Sequence, residues 1–343
     1  MQGEPTSILL IADPGAPAEI AERVSRSLTK LTDENSANRD WDVTVRHHAY
    51  PIDEHAEVPD VVDTIDPGSE REDIVIYLTD LPRRQGTTPV IADICLSDRL
   101  GVISIPGAGG AFIDRRVRNI VRVIVAEVAD GVQEHNPSVA GLTRTQEDDV
   151  VRYVAPTALS RLRLLTGMVY ANRPWRLVTG MSKVMMAAFA TGAVSLAYPT
   201  IWQLSVNMGP WRLGTVTVLA TSALIAWLII EHKLWERPRS AEGRERATLY
   251  NASTVITLLI GVVIFHIGLF LLLLLTAWWT LPPQMVANNI GRSVSLSTLL
   301  LMAWLVAAVA TLGGALGSGM EDDTAVKAAA YGPRQRQRFE QQK

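Results

Sequence analysis

Four long apolar stretches in the second half of the chain constrain its fold more than any other feature. None of them contains an Asp or Glu, and they cover residues 184–202, 213–230, 255–281 and 294–316. A helix rises about 1.5 Å per residue, so about 20 apolar residues cross a hydrocarbon core of roughly 30 Å. Helices also satisfy every backbone hydrogen bond within lipid. The pattern therefore predicts an α-helical transmembrane domain with four spans at residues 177–320, in contact with the lipid bilayer.

The distribution of basic residues between the spans predicts the orientation. The first and third loops carry one basic residue each, Arg212 and Arg292. The second loop and the tail carry many more: Lys233, Arg237, Arg239, Arg244, Arg246, Lys327, Arg334, Arg336, Arg338 and Lys343. Basic loops stay on the cytoplasmic side. The start of the chain also lacks the basic and apolar pattern of a signal peptide. We therefore expect a plasma-membrane protein with both termini in the cytoplasm and a basic cytosolic tail at 321–343.

Aromatic residues near the predicted span ends support the same topology. Tryptophan is enriched at headgroup level, where its ring is apolar and its N–H is polar. Six tryptophans fall near the ends of the apolar stretches: Trp175, Trp202, Trp211, Trp235, Trp278 and Trp279.

His266 is the candidate functional residue of the membrane part. It lies near the middle of the long third stretch, and an ionisable residue at that depth suggests a pore lining or a proton-sensitive group. The alternative is a neutral imidazole that bonds to a neighbouring helix. Small residues spaced four apart, Ala188 with Gly192 and Gly313 with Gly317, favour close helix association within or between chains. Four spans form a thin bundle, so we expect any conduction to require a homo-oligomer.

The charge of the chain divides it into two regions. Residues 1–150 hold 14 Lys and Arg against 27 Asp and Glu, whereas residues 151–343 hold 18 against 8. Such a split indicates regions in different surroundings. The acidic first region disfavours nucleic acid as a partner, because DNA and RNA backbones are themselves anionic.

The acidic region alternates strand-like and helix-like segments. SILLIAD, WDVTVRHH, DIVIYLTD and GVISI predict strands, and the helical repeat of Ile20, Val24 and Leu28 predicts a helix after the first of them. A second helix is predicted from Ile113 to Val128. This alternation predicts a cytosolic three-layer α/β domain at residues 1–135, Rossmann-like or flavodoxin-like, with a largely parallel sheet.

Ligands of such domains bind beyond the carboxyl ends of the strands. Asp13, Gly15 and Asp80 follow the first and third strands, and the segment PGAGG follows the fourth. Its glycines could bring backbone N–H groups to a phosphate. A turn without a ligand is the alternative. The candidate ligand-binding residues are Asp13, Gly15, Asp80, Arg83, Arg84, Gly107, Gly109 and Gly110, with a small molecule or a protein as the ligand.

No motif in the sequence identifies an enzyme or a cofactor. The nucleotide-binding, hydrolase and zinc-protease patterns GxxxxGK[ST], GxSxG and HExxH do not occur. His47 and His48 are adjacent on a predicted strand and point to opposite faces, so we do not expect them to share a metal with Asp53, Glu54 and His55. Cys95 is the single cysteine and reads as a small core residue. Metal, cofactor and catalytic residues are therefore not assigned, and the pattern leans away from an enzyme.

Between the two regions we predict a linker at 136–176. Within it, ALSRLRLLTGMVYANRPWRLV interleaves arginines with apolar residues. This pattern predicts an interfacial amphipathic helix that anchors the cytosolic domain to anionic headgroups.

Four segments carry a resemblance to a known family. At YLTDLPRR, GVISIPGAGG, ANRPWRLV and TIWQL followed by GPWRLG, the chain resembles actinobacterial integral membrane proteins with a cytosolic α/β domain. The resemblance covers most of the chain and implies that same two-part fold. Some members are labelled methylenetetrahydrofolate dehydrogenases. That activity implies a dinucleotide loop and a catalytic lysine, whereas the cytosolic half contains only Lys30, so no catalytic residue is carried over.

Three functions fit the sequence. The first is a homo-oligomer whose α/β domain regulates a channel-like or transport-related membrane part. The second is a membrane-anchored enzyme that acts on a nucleotide-like substrate, and the third is an assembly scaffold without a ligand.

Overall fold

The computed structural model describes residues 6–34, 41–52, 56–85, 88–130, 141–156, 160–238 and 243–317. They form two compact units, with the boundary in the chain between Asn172 and Arg173. The histidine and acidic residues at 53–55 and the predicted tail at 321–343 lie outside the described residues.

The first unit is an α/β domain. Its strands are β1 (Thr6–Ala12), β2 (Trp41–His47), β3 (Ile74–Thr79), β4 (Arg84–Gln85), β5 (Thr88–Cys95), β6 (Leu100–Ser104), β7 (Thr143–Glu147) and β8 (Val150–Val154). Its helices are α1 (Ala16–Glu34), α2 (Val58–Ile65), α3 (Ile105–Ala108), α4 (Ile113–Asp130) and α5 (Ser160–Asn172).

The sheet is parallel on one side and antiparallel on the other. Its order is β2-β1-β3-β6-β5-β8-β7, with β4 paired to β5. The four strands predicted from the sequence, β1, β2, β3 and β6, are mutually parallel. The chain leaves β1 toward β2 on one side and returns to β3 on the other. The carboxyl ends of β1 and β3 therefore form the switch point at which doubly wound sheets bind ligands.

Helices cover both faces of this sheet, as the predicted three layers require. Ile20, Val24 and Leu28 of α1 are buried with Val117 and the other inward residues of α4 against one face. Val58, Val61 and Ile65 of α2 are buried against the opposite face. Burial of apolar area on this scale is the main driving force of folding.

The predicted linker at 136–176 is largely part of this domain. β7 and β8 form a hairpin that extends the sheet beyond β5. α5 is buried along one side by Leu164, Gly167, Met168 and Val169. This side of the expected interfacial helix therefore contacts protein, whereas Leu162 is exposed. An interfacial role for the exposed side stays a prediction.

The second unit contains the predicted spans. Its helices are α6 (Arg176–Gly180), α7 (Ser182–Ser195), α8 (Pro199–Asn207), α9 (Pro210–Glu231), α10 (Gly243–Thr280), α11 (Pro283–Ile290) and α12 (Leu296–Gly317). Three helices, α9, α10 and α12, are long and apolar enough to cross a membrane, and a fourth span results if the bent pair Ser160–Gly180 and Ser182–Ser195 counts as one. This is the architecture of a multi-pass membrane protein.

The first span differs from its prediction at 184–202. α7 has 14 residues, about 21 Å of helix, which is shorter than the hydrocarbon core. Pro199 cannot continue a helix begun before it, and it starts α8 instead. Trp202 of α8 is buried against Val286 and Met302, so it does not join the exposed tryptophans at 175, 211, 235, 278 and 279.

α12 occupies the interior of this helical unit and packs on α7, α9 and α10. Its residues 305–308 are all buried. A Cβ on Gly314 would lie 3.3 Å from Cβ of Ala188 in α7, and one on Gly192 would lie 3.3 Å from Val306. The small residues at 188, 192 and 314 therefore bring α7 and α12 together within one chain.

Candidate functional site

Asp13 lies at the switch point, directly after β1, and it is fully buried. Its carboxylate accepts hydrogen bonds from the Tyr77 hydroxyl (2.5 Å), the Thr79 hydroxyl (2.7 Å) and the Asp80 backbone N–H (3.2 Å). A buried carboxylate requires such donors. Asp13 thus joins β1 to β3, and its side chain faces protein.

Aromatic rings extend from this carboxylate along the edge of the sheet. Tyr77 meets Tyr50 edge-on at 5.7 Å between ring centroids, and Tyr50 meets His48 at 4.6 Å. Gly15 begins the turn into α1 with φ of 113°, which a residue with a Cβ rarely adopts. Tyr50 and Tyr77 were not among the predicted site residues. Their contact joins residues from separate elements, and no local pattern reports it.

Arg83 is buried in an ion pair. Its Nε donates to Asp93 Oδ2 at 2.9 Å, and its Nη2 donates to the carbonyl oxygen of Ala56. The other oxygen of Asp93 accepts from Arg152 Nε at 2.6 Å. Asp93 is 1% exposed, and its two guanidinium partners offset the cost of burying its charge.

Asp93 could have been identified from the sequence. It is the one charged residue in the strand TPVIADIC, which otherwise reads as buried, and a charge in such a strand needs a partner. Arg84, the neighbour of Arg83, is partly exposed on β4, where it pairs with Pro89 of β5. These two candidate ligand-binding arginines therefore have separate surroundings.

The glycine segment after β6 is covered by α5. A Cβ on Gly107 would lie 2.2 Å from the carbonyl oxygen of Val90, and one on Gly110 would lie 2.7 Å from that of Thr166. These glycines are needed because backbone packs directly on backbone.

The N–H groups of this segment have acceptors within the protein. Gly107 donates to the Ser104 hydroxyl, Gly109 to the carbonyl oxygen of Pro106 and Gly110 to the Thr166 hydroxyl at 3.5 Å. In this arrangement Gly107, Gly109 and Gly110 do not present free donors to a phosphate. Ligand binding at this edge stays a prediction, and other residues would have to supply the donors.

A second cluster lies where β5 ends. Cys95 Sγ lies 3.0 Å from an oxygen of Asp98 and 3.3 Å from an oxygen of Asp149. These three atoms are close enough together to be ligands of one metal ion. Burial raises the pKa of the Cys95 thiol to about 11. The protonated thiol donates to a carboxylate, so hydrogen bonds of the cluster join the β5–β6 turn to the β7–β8 turn.

Asp98 also lines a cavity of about 270 Å³ with Glu70, Glu72, Asp73 and Arg99. The cavity lies at the end of the sheet opposite the predicted ligand site, since β3 and β6 begin there. The backbone N–H and the hydroxyl of Ser7 bond to Asp73, and these hydrogen bonds lower the pKa of the Asp73 carboxyl.

His266 is half-buried in α10 and faces α12. Its Nδ1 lies 3.1 Å from the Thr311 hydroxyl, and that hydroxyl donates its proton to the carbonyl oxygen of Ala307. Nδ1 is therefore assigned as the donor to Thr311, so the imidazole is hydrogen-bonded to a neighbouring helix. Both roles suggested for His266 by the sequence stay predictions.

Comparison with protein-family models, with curated proteins and with solved structures finds no match to this chain.

Proposed function

We propose that this chain is a membrane protein, working as a homo-oligomer, whose cytoplasmic α/β domain regulates a channel-like or transport-related membrane part. In this proposal both termini are cytoplasmic and the membrane is the plasma membrane. The relationship to the actinobacterial family stays a prediction.

One observation carries the proposal. α5 packs its backbone on the glycine segment at the carboxyl end of β6, and it is also the last element of the α/β domain before Arg173. Carboxyl edges of α/β sheets are where ligands bind. A ligand at that edge would act on the helix after which the chain enters the membrane unit. Regulation requires an element of this kind, which two sites can both influence.

The hydrogen bonds that the predicted site residues make within the protein favour regulation over catalysis. Asp13 and Arg83 hold strands together through hydrogen bonds. A catalytic group must reach the reacting atoms, whereas a structural carboxylate need not. Hydrogen exchange distinguishes the scaffold function from regulation.

The test uses the full chain in lipid nanodiscs. Native mass spectrometry should find a discrete oligomer, and a monomer would contradict the proposal. Hydrogen exchange should then compare the variants Gly167→Ala and Gly68→Ala. Gly167 contacts α3 closely, whereas a Cβ on Gly68 would have 3.9 Å to its nearest neighbour. Regulation predicts that Gly167→Ala alters exchange in α7, α9 or α10, while the scaffold function predicts changes confined to the α/β domain.

A further inference from the structure

Two arginines converge on the glycine segment between α3 and α4. Arg116 of α4 donates from Nη1 to the carbonyl oxygen of Ala108 at 2.8 Å. Arg163 of α5 donates from Nε to the neighbouring carbonyl oxygen, that of Gly107, at 3.2 Å. A Cβ on Gly109 would lie 3.0 Å from Arg116 Nη1 and 2.9 Å from Arg163 Cγ. The glycine between them therefore leaves room for both side chains.

These two guanidiniums lack a carboxylate partner among the residues that the structure describes. Several other arginines of this acidic domain are paired with carboxylates, as in Arg23 with Asp114, Arg144 with Glu127 and Arg83 with Asp93. Both arginines are partly buried. Burial, together with the charge of Arg116, lowers the pKa of the Arg163 guanidinium. Two like charges in this setting favour an anion between them.

The guanidiniums of Arg116 and Arg163 have more N–H donors than they use in hydrogen bonds within the protein. Each guanidinium has five N–H donors, and one of them is used on a carbonyl oxygen. The two forks bond to neighbouring carbonyl oxygens, and their remaining donors suit the several oxygens of a phosphate, which accepts charge-assisted hydrogen bonds from arginine. The positive end of α4, three residues from Arg116, adds to the same field.

We propose that Arg116 and Arg163 bind a phosphate group at the carboxyl edge of the sheet. This inference rests on the proposed function, since it specifies the ligand chemistry of the regulatory domain. The phosphate reaches α4 and α5 together, so its binding holds α5 against the glycine segment.

The phosphate belongs either to a soluble molecule or to a lipid headgroup. Two exposed apolar side chains adjoin the arginines in sequence: Phe112, 82% exposed, before α4, and Leu162, 54% exposed, before Arg163. Apolar residues beside arginines are typical of surfaces that meet headgroups. The two sources share the same phosphate chemistry, and the experiment has one arm for each.

The experiment uses the full chain in nanodiscs. In the first arm, pyrophosphate is titrated calorimetrically into protein in phosphatidylcholine nanodiscs at constant ionic strength. In the second arm, native mass spectrometry counts phosphatidylglycerol molecules retained by protein taken from nanodiscs that contain it. Each arm compares wild type, Arg116→Gln, Arg163→Gln, Arg163→Lys and the matched control Arg115→Gln. Arg115 is exposed on the same helix, so its variant removes an equal charge.

The proposal is supported if binding occurs in either arm and Arg116→Gln and Arg163→Gln each weaken it about tenfold or more. Arg115→Gln should leave the binding unchanged. The arm in which this occurs identifies the source. Arg163→Lys keeps the charge but loses the fork, so we expect an intermediate affinity. Absence of binding in both arms, or an equal loss with Arg115→Gln, overturns it. The same spectra report the oligomer, so a missing phosphate site is distinguishable from a failure of the proposed function.

Discussion

Gly167 of α5 lies directly against Pro106 of α3. A Cβ on this glycine would be 2.3 Å from the proline carbonyl oxygen and 2.7 Å from its Cα. The neighbouring contact between Gly110 and the backbone of Thr166 is almost as close. The last helix of the α/β domain is thus positioned by backbone contacts that only glycine permits.

Gly167→Ala tests this contact. The added methyl group must move α5 or α3, and overpacking of this kind costs about 1–3 kcal/mol. Alanine recovers up to about 1 kcal/mol of helix propensity. We expect faster hydrogen exchange throughout α5 and a lower thermal midpoint. Gly68→Ala, at an open position, is the control, and equal stability of the two variants would contradict this account.

Asp13→Asn tests whether the switch-point carboxylate is structural. The amide loses one acceptor and the negative charge that bind the Tyr77 and Thr79 hydroxyls. Hydrogen bonds to a charged group contribute about 1.5–3 kcal/mol, so the free energy of unfolding should fall by about that amount. Urea unfolding in detergent measures it, with Asp42→Asn on exposed β2 as the control. An unchanged stability would point instead to a binding role for Asp13.

The buried thiol of Cys95 should make the stability of the folded protein depend on pH. Burial raises its thiol pKa from the usual 9.0 to about 11 in the folded protein. The folded state therefore holds the thiol proton more tightly than the unfolded state. The contribution of the protonated thiol to stability is complete below about pH 9 and is lost as the pH rises toward 11.

The reactive thiolate should accordingly be scarce at pH 8. Iodoacetamide should label the folded protein slowly and the urea-unfolded protein quickly, and Cys95 is the single cysteine. Rapid labelling of folded protein at pH 8 would show that the thiol is not held in this way.

The hydrogen bond between His266 and Thr311 should give a measurable coupling free energy between α10 and α12. A double-mutant cycle with His266→Phe and Thr311→Val isolates their hydrogen bond. Such bonds between membrane helices average about 0.6 kcal/mol, so we expect a coupling of that order in detergent unfolding. Strictly additive effects would mean that the imidazole has another role, such as the pore lining suggested by its depth.

Apart from the first span, the elements predicted from local patterns agree with the structure. The parallel strands end near Asp13 and Asp80 as expected, and the inward faces of α1 and α4 were identified by their helical repeats. The second, third and fourth apolar stretches are helices close to their predicted bounds, although α10 begins earlier, at Gly243.

The candidate residues lie at the carboxyl edge that the strand pattern indicated, but the sequence did not predict their contacts. Asp13 and the glycines lie at the expected edge, yet their hydrogen bonds go to protein groups. Arg83 finds its partner in Asp93 on β5, a strand that was not predicted. Arg163 was predicted only as part of an interfacial helix and Arg116 was not singled out, because their approach to Gly109 depends on how α4 and α5 pack.

The sequence by itself determined the elements whose stability is local or set by the solvent. Within lipid an apolar stretch satisfies its backbone hydrogen bonds as a helix, and three of the four predicted stretches are single long helices in the structure. Strand and helix periods follow from backbone geometry. Only the tertiary structure decided that 143–172 belongs to the α/β domain, because β8 is placed by its pairing with β5 and α5 by its packing on α3. It also decided the roles of Asp13, Arg83 and the glycines, since a side chain's function depends on neighbours that are distant in sequence.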